Sequence, residues 1–409
     1  MLYLTKAFLD MSKILITGNG FDLFHHLPTK YHHFISIMET IEKFQPTKEA
    51  TFKDLFGSIF KDKYLNDYNS IIDYYNVEQI KFDNTKIKQI DELLTSNLWY
   101  KHFKNVCEID TWIDFEMEIE SVLKQLSYFN KIEDKWDIKK NAFRDKYISF
   151  TDFELLNLIK VINTGGAFRF NEKYINQRKS AIDVRKILED LAKSFEDFII
   201  IFNRYLVDIV CVFYHEVKQK STIPFHLLNE IYTFNYTPTL EQIYKVEKSK
   251  VVYLHGQIND VNTSQNIILG ISEMPNQIEI SKFFDFTKYY QKVNKNSNKK
   301  FIEVPKEIKS SWKETVFYII GHSLDESDKE YIIDLFNFLK FDNDKFSKIC
   351  VFYHNHEDRE NKLRNLFNIL EKNEIVEMDK VGRLYFVELN IENINKEFNR
   401  ELNTRNFTY

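Results

Sequence analysis

Glycine, proline and cysteine are scarce in this chain of 409 residues, which contains nine, six and three of them. The three cysteines, Cys107, Cys211 and Cys350, are far apart and lack C-x-x-C spacing. Neither a disulfide framework nor a cysteine zinc site is therefore expected. Such sparse use of cysteine suits a reducing cytosol.

Three further features are missing. No apolar run approaches the ~20 residues that a membrane-spanning helix needs, and the residues before Met11 lack the apolar stretch of a signal peptide. The net charge is −5 with both signs interspersed, which does not favour a general nucleic-acid binder. The one basic stretch, residues 288–306, is interpreted as a solvated loop. The sequence therefore predicts a cytoplasmic protein that is not associated with a membrane.

Apolar residues are abundant, at 44%, and form short branched runs that end in glycine or a polar residue. The residues that follow these runs are Gly18, Asn235, His255, Gly270 and Gly321. Glycine after a buried strand permits a tight turn and lets a ligand approach the backbone closely. Open parallel sheets bind ligands at this end of their strands. The pattern predicts a nucleotide-type site on a doubly wound, mainly parallel α/β sheet of Rossmann type.

The order of predicted elements indicates how the chain is organised. Strands are predicted at residues 13–17, 231–234, 251–254, 266–269, 316–320, 348–353 and 383–388. Helices such as 328–339 and 357–370 lie between them, as in parallel βαβ units. Between these parts, apolar stripes at helical spacing include Trp112, Phe115, Ile119, Val122 and Leu126, and also Ile187, Leu191, Phe195, Phe198 and Phe202. We predict a core of residues 12–38 and 229–409, with a helical insertion over residues 39–228 after the first strand.

The first candidate motif, Gly18-Asn19-Gly20-Phe21-Asp22, lies where the first strand opens into a helix. Its backbone N–H groups are suited to binding a phosphate, and Asp22 to binding a ribose hydroxyl or a water. It is not a full G-x-G-x-x-G, because Leu23 takes the place of the third glycine. The alternative is a tight turn in which Asp22 caps the helix.

Two other strand ends carry polar side chains. Asn235 has both a donor and an acceptor for a ribose hydroxyl, although Thr237 and Pro238 would also suit a plain helix start. His255 is a candidate general base, and the alternative is a structural histidine bonded to a carbonyl. Gly256 directly after it favours the functional interpretation.

Gly321-His322-Ser323 ends another predicted strand. Gly321 and Ser323 suit phosphate or ribose contact, although Ser323 would also cap the helix that follows. The motif is not a nucleophile elbow, because the second glycine is missing.

Acidic and histidine clusters give a weaker signal. Asp114 and Glu118 share a helical face, which is typical of a solvated surface. The alternative is a carboxylate that faces the core site. Four histidines follow the first motif closely: His25, His26, His32 and His33. No H-E-x-x-H accompanies them, and no metal is expected.

Five segments, in this order, resemble the bacteriophage abortive infection AbiH family. They are Gly18-Asn19-Gly20-Phe21-Asp22-Leu23 with Leu27-Pro28-Thr29, then Trp112-Ile113-Asp114-Phe115-Glu116, Phe234-Asn235-Tyr236-Thr237, Leu254-His255-Gly256 and Gly321-His322-Ser323. The resemblance covers nearly the whole chain. It implies a bacterial anti-phage protein, with a phage-derived trigger and a second copy of the chain as expected partners.

The same motifs are similar, more distantly, to sirtuin-like Rossmann domains. Their Thr-x-Asn-x-Asp corresponds to Thr233-Phe234-Asn235-Tyr236-Thr237, and their catalytic His-Gly to His255-Gly256. The resemblance implies NAD as ligand or substrate, with His255, Asn235 and Asp22 catalytic. The residues expected to hold it are Gly18, Asn19, Gly20, Gly321 and Ser323. Thr237 replaces the aspartate, which is a departure from the part of the motif that serves the nicotinamide ribose. No cysteine zinc module is present, so we expect hydrolysis of NAD and not protein deacetylation.

Two other hypotheses stay open. One is a nuclease that uses Asp22, Asp114 or Glu116 with a divalent metal, and metal dependence would identify it. The other is a non-catalytic nucleotide sensor whose helical insertion contacts a phage product, and absence of turnover would identify that.

Overall fold

A parallel sheet of six strands lies at the centre of the protein. The computed structural model describes residues 13–45, 49–109, 114–132, 136–137, 142–143, 160–162, 168–176, 181–219, 222–260, 266–272, 281–295, 299–302, 311–341, 347–402 and 404–406. The strands are β1 (Lys13–Thr17), β2 (Glu230–Thr233), β3 (Val251–Tyr253), β4 (Val316–Ile320), β5 (Lys348–Tyr353) and β6 (Leu384–Glu388). They lie in the order β3-β2-β1-β4-β5-β6, and every neighbouring pair is parallel. This is the strand order of Rossmann folds, and the predicted α/β class with a mainly parallel sheet is confirmed.

The helices among the described residues are mostly short. They are α1 (Asn19–Phe24), α2 (Tyr31–Lys43), α3 (Phe52–Phe56), α4 (Ile59–Lys63), α5 (Leu65–Tyr74), α6 (Asn84–Leu94), α7 (Leu98–Ile109), α8 (Phe115–Ile132), α9 (Val184–Arg204), α10 (Thr239–Tyr244), α11 (Lys288–Asn294), α12 (Lys329–Phe341), α13 (His356–Ile369), α14 (Lys372–Lys380) and α15 (Ile391–Asn399). Small antiparallel pairs lie outside the central sheet: Ala50–Thr51 with Lys81–Phe82, Trp136–Asp137 with Ala142–Phe143, Lys160–Ile162 with Phe168–Phe170, Ile175–Asn176 with Ala181–Ile182, and Ser311–Lys313 with Thr404–Asn406.

Both faces of the sheet are covered by apolar packing. Along β1, Ile14 and Ile16 face one cluster, to which α12 contributes Phe336. Leu15 faces the opposite cluster, to which α15 contributes Phe398. Strands buried on both faces are apolar at successive positions, which explains why the strands were recognisable in the sequence.

Residues 39–228 contribute helices and no strand of the central sheet, among the residues that the structure describes. Of the first predicted stripe, Phe115, Ile119, Val122 and Leu126 are fully buried, while Trp112 lies outside the described residues. Every member of the second stripe is also buried. The division of the chain into core and insertion stays a prediction.

The helical stretch that begins with α9 is longer than the sequence suggested. It continues through a π-helical segment, Tyr205–Val210, and a 3-10 turn, Cys211–His215. By length and composition alone, Val184–His215 would span a membrane. However, 67% of its most apolar window is buried inside the protein, so these side chains serve internal packing.

Two predictions for local structure are wrong. Residues 266–269 do not form a strand. Their apolar side chains are buried, but their backbone bonds elsewhere, with Ile268 N donating to His255 O at 2.8 Å. The basic stretch from residue 288 begins as helix α11, and Lys288 is buried instead of solvated.

Candidate functional site

The loops after β1 and β4 meet where the strand order reverses, and their backbones touch. Gly20 N donates to Gly321 O at 2.7 Å, and Gly18 N donates to Ile320 O at 3.1 Å. A Cβ atom at Gly20 would lie 2.7 Å from Gly321 Cα. Gly321 also has φ +70°, a conformation that favours glycine. The glycines therefore have a packing role, and two of the N–H groups expected to face a phosphate are used within the protein.

Asp22 lies inside α1 and does not cap it. Its carboxylate is buried and accepts hydrogen bonds from the hydroxyls of Thr237 and Thr239, the latter at 2.5 Å, and from Asn235. Burial raises the pKa of Asp22 to about 6, although these donors act in the opposite direction. Thr237 thus binds a carboxylate and does not cap the helix after β2.

Asn235 follows β2 and retains an unused acceptor. Its backbone N donates to Thr233 Oγ1 at 3.1 Å, and Thr233 is in turn bonded to Thr17 on β1 at 2.8 Å. The side-chain amide donates to Asp22, while Oδ1 is buried with no hydrogen-bond partner among the described residues. A buried acceptor without a partner costs free energy, and a ligand hydroxyl would satisfy it.

His255 and His322 both face the carboxylate of Asp328. His255 Nε2 lies 3.2 Å from Asp328 Oδ1, although the angles do not give a hydrogen bond, and His322 Nε2 lies 3.3 Å from Oδ2. Burial lowers the pKa of His255 to about 4 against the opposing effect of Asp328. Burial alone would raise the pKa of Asp328, but Lys288 and the two histidines hold it well below its ordinary value.

The tautomer of His322 follows from its backbone contact. Leu324 N donates to His322 Nδ1 at 2.9 Å, so the proton of the ring lies on Nε2, towards Asp328. Leu324 holds this position with φ +57°, which is unfavourable for a residue with a side chain.

Lys288, from α11, connects this group to the helical region. Its Nζ lies 3.4 Å from Asp328 Oδ1 and 2.9 Å from Glu116 Oε2 on α8. Burial would lower the pKa of Lys288, but the two carboxylates outweigh it and raise the pKa. Burial raises the pKa of Glu116 to about 7, against the effect of Lys288. We call Glu116, His255, Lys288, His322 and Asp328 the buried cluster.

Phe234 lies next to both the buried cluster and the residues that contact Asp22. Its ring centroid lies 5.0 Å from that of His255 and 4.3 Å from that of His322. Asn235, the next residue, contacts Asp22. The ends of β1, β2, β3 and β4 thus bring Asp22, Asn235, His255 and His322 to one edge of the sheet.

The remaining predicted residues lie outside these two groups. Asn19 is exposed and donates to Thr29 O at 3.3 Å. Ser323 is exposed, and its backbone O accepts from Asn365. Asp114 accepts from the backbone N of Glu116 at 2.8 Å, at the start of α8. Their predicted roles in ligand or metal binding stay predictions.

The histidines after the first motif make their described contacts with other residues of the same chain. His25 Nδ1 donates to Phe21 O at 2.7 Å. His32, His33 and Asp67 have possible ligand atoms within 4.8 Å of one another. Lys30 Nζ, however, lies 3.1 Å from Asp67 Oδ2. Because an ammonium already compensates this carboxylate, we assign no ion to the group.

A cavity of about 270 Å³ opens beside the buried cluster. Lys288 and Asp328 belong to its wall, together with Tyr289, Lys292, Phe301 and Tyr331. Asp328 and Lys288 escaped the sequence analysis because neither follows a strand directly. The only signal for Lys288 was its basic stretch, which suggested a solvated loop.

Comparison with known proteins identifies the family. A model of the family described as "Bacteriophage abortive infection AbiH" matches residues 14–353. Neither the curated proteins nor the solved structures gave a significant match. The matched range contains Asp22, Asn235 and all five residues of the buried cluster. The chain belongs to the bacteriophage abortive infection AbiH family.

Proposed function

We propose that this protein defends a bacterium against bacteriophage by binding NAD and hydrolysing it at the carboxyl edge of the sheet. Membership of the AbiH family supports the defence role. The observation that carries the chemistry is the pairing of His255 with Asp328 beside the unsatisfied acceptor of Asn235. Rossmann sheets of this strand order bind dinucleotides at this edge.

The geometry supports base-assisted hydrolysis. With its pKa lowered to about 4, His255 is uncharged at neutral pH and able to accept a proton. The Asp328 carboxylate would stabilise the imidazolium that results. Water would add to C1′ of the nicotinamide ribose while the C–N bond breaks. The bonding electrons leave with neutral nicotinamide, and the proton of the water passes to His255.

Asn235 would position the ribose. Its free Oδ1 accepts a hydrogen bond from a ribose hydroxyl, and its amide, bonded to Asp22, fixes the orientation of the side chain. Thr237 stands where sirtuin-like domains have an aspartate, but Asp22 supplies a carboxylate to the same group of side chains.

The test is release of nicotinamide from NAD by purified protein, alongside a phage plating assay. General-base assistance typically contributes ~10²–10⁴-fold, so His255→Ala should lower kcat/KM by about that factor and abolish protection. His356→Ala, at an exposed histidine with an 81% accessible side chain, is the matched control and should change neither.

Three results would overturn the proposal. Cleavage of RNA or DNA that requires magnesium, with NAD intact, would indicate the nuclease. Binding of NAD without turnover would indicate a sensor. Equal activity of His255→Ala and His356→Ala would remove His255 from the mechanism. The partners of Asp22, Asp114 and Glu116 weigh against the nuclease, because these are hydroxyls, backbone N–H groups and an ammonium.

A further inference from the structure

The cavity beside the buried cluster offers an entrance to it. Lys288 and Asp328 belong both to the cluster and to the cavity wall. A ligand in the cavity would therefore touch two residues of the cluster that contains His255. The volume, about 270 Å³, lies just below the ~300–1,000 Å³ of typical small-molecule sites. It is suited to part of a dinucleotide, with the remainder reaching towards His255.

One wall of the cavity is basic. Lys288 and Lys292 are one turn apart on α11, and Lys299 also lines the space. Burial lowers the pKa of Lys292 to about 8, and the ammonium of Lys288 acts in the same direction. An anion bound at Lys292 would favour its charged form. Glu330 and Asp334 line the cavity from α12, so the anion would bind on the α11 side.

The same wall carries aromatic surface. Tyr289 lines the cavity and is 44% exposed, so part of its ring is open to a ligand. Phe301 and Tyr331 complete the lining, with ring centroids 5.1 Å apart in an edge-to-face arrangement. Lys292 Nζ lies 2.5 Å from Tyr331 Oη, which fixes the ammonium at this wall. Aromatic faces stack on nucleobases, and lysines bind phosphates.

We propose that this cavity, and not the glycine turn after β1, binds the phosphate-bearing part of the nucleotide, with Lys292 on the phosphate and Tyr289 on the base. The inference rests on the proposed function for the identity of the nucleotide. It differs from the sequence-based expectation, in which Gly18 and Gly20 hold the phosphate.

Calorimetry without metal, with inorganic pyrophosphate and AMP as probes, tests the proposal. Lys292→Gln should lower the affinity for both probes about tenfold or more, because a charged hydrogen bond is lost. Lys292→Arg should restore most of that affinity. Tyr289→Ala should lower the affinity for AMP about five- to 100-fold and leave the affinity for pyrophosphate unchanged. Tyr290→Ala is the matched control, since Tyr290 is a neighbouring exposed tyrosine that also contacts Phe284 but does not line the cavity. It should change neither affinity.

The outcomes separate this inference from the proposed function. If pyrophosphate does not bind, or binds Lys292→Gln as tightly as wild type, the cavity is not the phosphate site. Equal effects of Tyr289→Ala and Tyr290→Ala would reject base stacking at the cavity. If both probes behave as expected while NAD is not cleaved, the cavity assignment stands and the hydrolase proposal fails. If NAD is cleaved with the same KM by Lys292→Gln, the hydrolase stands and the cavity assignment fails.

Discussion

At the scale of single residues, Asp22 is a buried carboxyl group that accepts hydrogen bonds from hydroxyl and amide donors. Its pKa is about 6 in the folded chain, above the ordinary value of 3.8. The folded state therefore binds this proton more tightly than the unfolded state does. By linkage, the group favours folding at low pH, and that contribution is lost as the pH rises from about 4 to about 6.

We expect Asp22→Asn to remove this pH dependence. Between about pH 4 and about pH 7 the wild type should lose roughly 2–3 kcal/mol of unfolding free energy through Asp22, and the variant should not. Urea unfolding at the two pH values measures the difference. Asp62→Asn, at an exposed carboxylate on α4, is the control and should keep the slope of the wild type. An unchanged slope in Asp22→Asn would show that Asp22 does not cause it.

At the scale of elements, the contact between the loops after β1 and β4 makes a sharp prediction. A Cβ atom at Gly321 would lie 2.0 Å from the backbone N of Phe21, whereas one at Gly382 would have nothing within 4 Å. Both glycines have nearly the same φ, +70° and +69°. Comparing the two positions therefore separates steric contact from backbone strain.

Gly382→Ala should cost about 1–2 kcal/mol of unfolding free energy, which is the strain of a left-handed alanine. Gly321→Ala should cost about 1–3 kcal/mol more, because backbone atoms must move apart. Chemical denaturation of both variants measures the two costs. Equal losses would mean that the loops separate easily and that the contact does not hold the switch point of the sheet.

The sequence predicted the strands well because both faces of the sheet are buried. The six apolar runs that pair with neighbouring strands could be found by composition alone, as in residues 316–320. Residues 266–269 are also mostly apolar but do not form a strand. The side chain of Gln291 accepts from Leu269 N at 3.3 Å, and Lys295 Nζ donates to Ile267 O at 2.7 Å. The composition of an apolar run does not show whether its backbone forms hydrogen bonds with side chains or with a neighbouring strand.

Strand ends also identified part of the site. Asn235 and His255 could be found because each follows a strand, and the carboxyl ends of parallel strands share an edge. Lys288, Asp328 and Glu116 could not be found in this way. They come from α11, the turn before α12, and α8, and only the tertiary packing of these elements brings them together.

At the scale of the whole molecule, the helical region shares packing with the predicted core segments, residues 12–38 and 229–409. One apolar cluster includes Leu27 and Phe34 from residues 12–38, Phe198 from α9, and Ile267 and Phe286 from residues 229–409. Hydrogen bonds also cross between them, such as Asn203 Nδ2 to Asn259 O at 2.9 Å. Separating the insertion from the core would expose this apolar surface to water.

We therefore expect a single cooperative unfolding transition. Tryptophan fluorescence reports mainly on residues 39–228, which hold three of the four tryptophans, including the buried Trp99. Far-UV circular dichroism reports on all the secondary structure. The two curves in urea should coincide, as two-state unfolding requires. Two separate midpoints would show that the insertion folds independently, as a domain in the strict sense.

The position of Glu116 has a consequence for the electroneutrality of the site. Lys288 and Asp328 cancel each other, and His255 is uncharged, so the formal charge of this group depends on one proton. With the pKa of Glu116 at about 7, the group is neutral below that pH and carries one negative charge above it. Because Glu116 belongs to α8, a helix outside the sheet decides whether this group at the edge of the sheet is neutral or repels an anion.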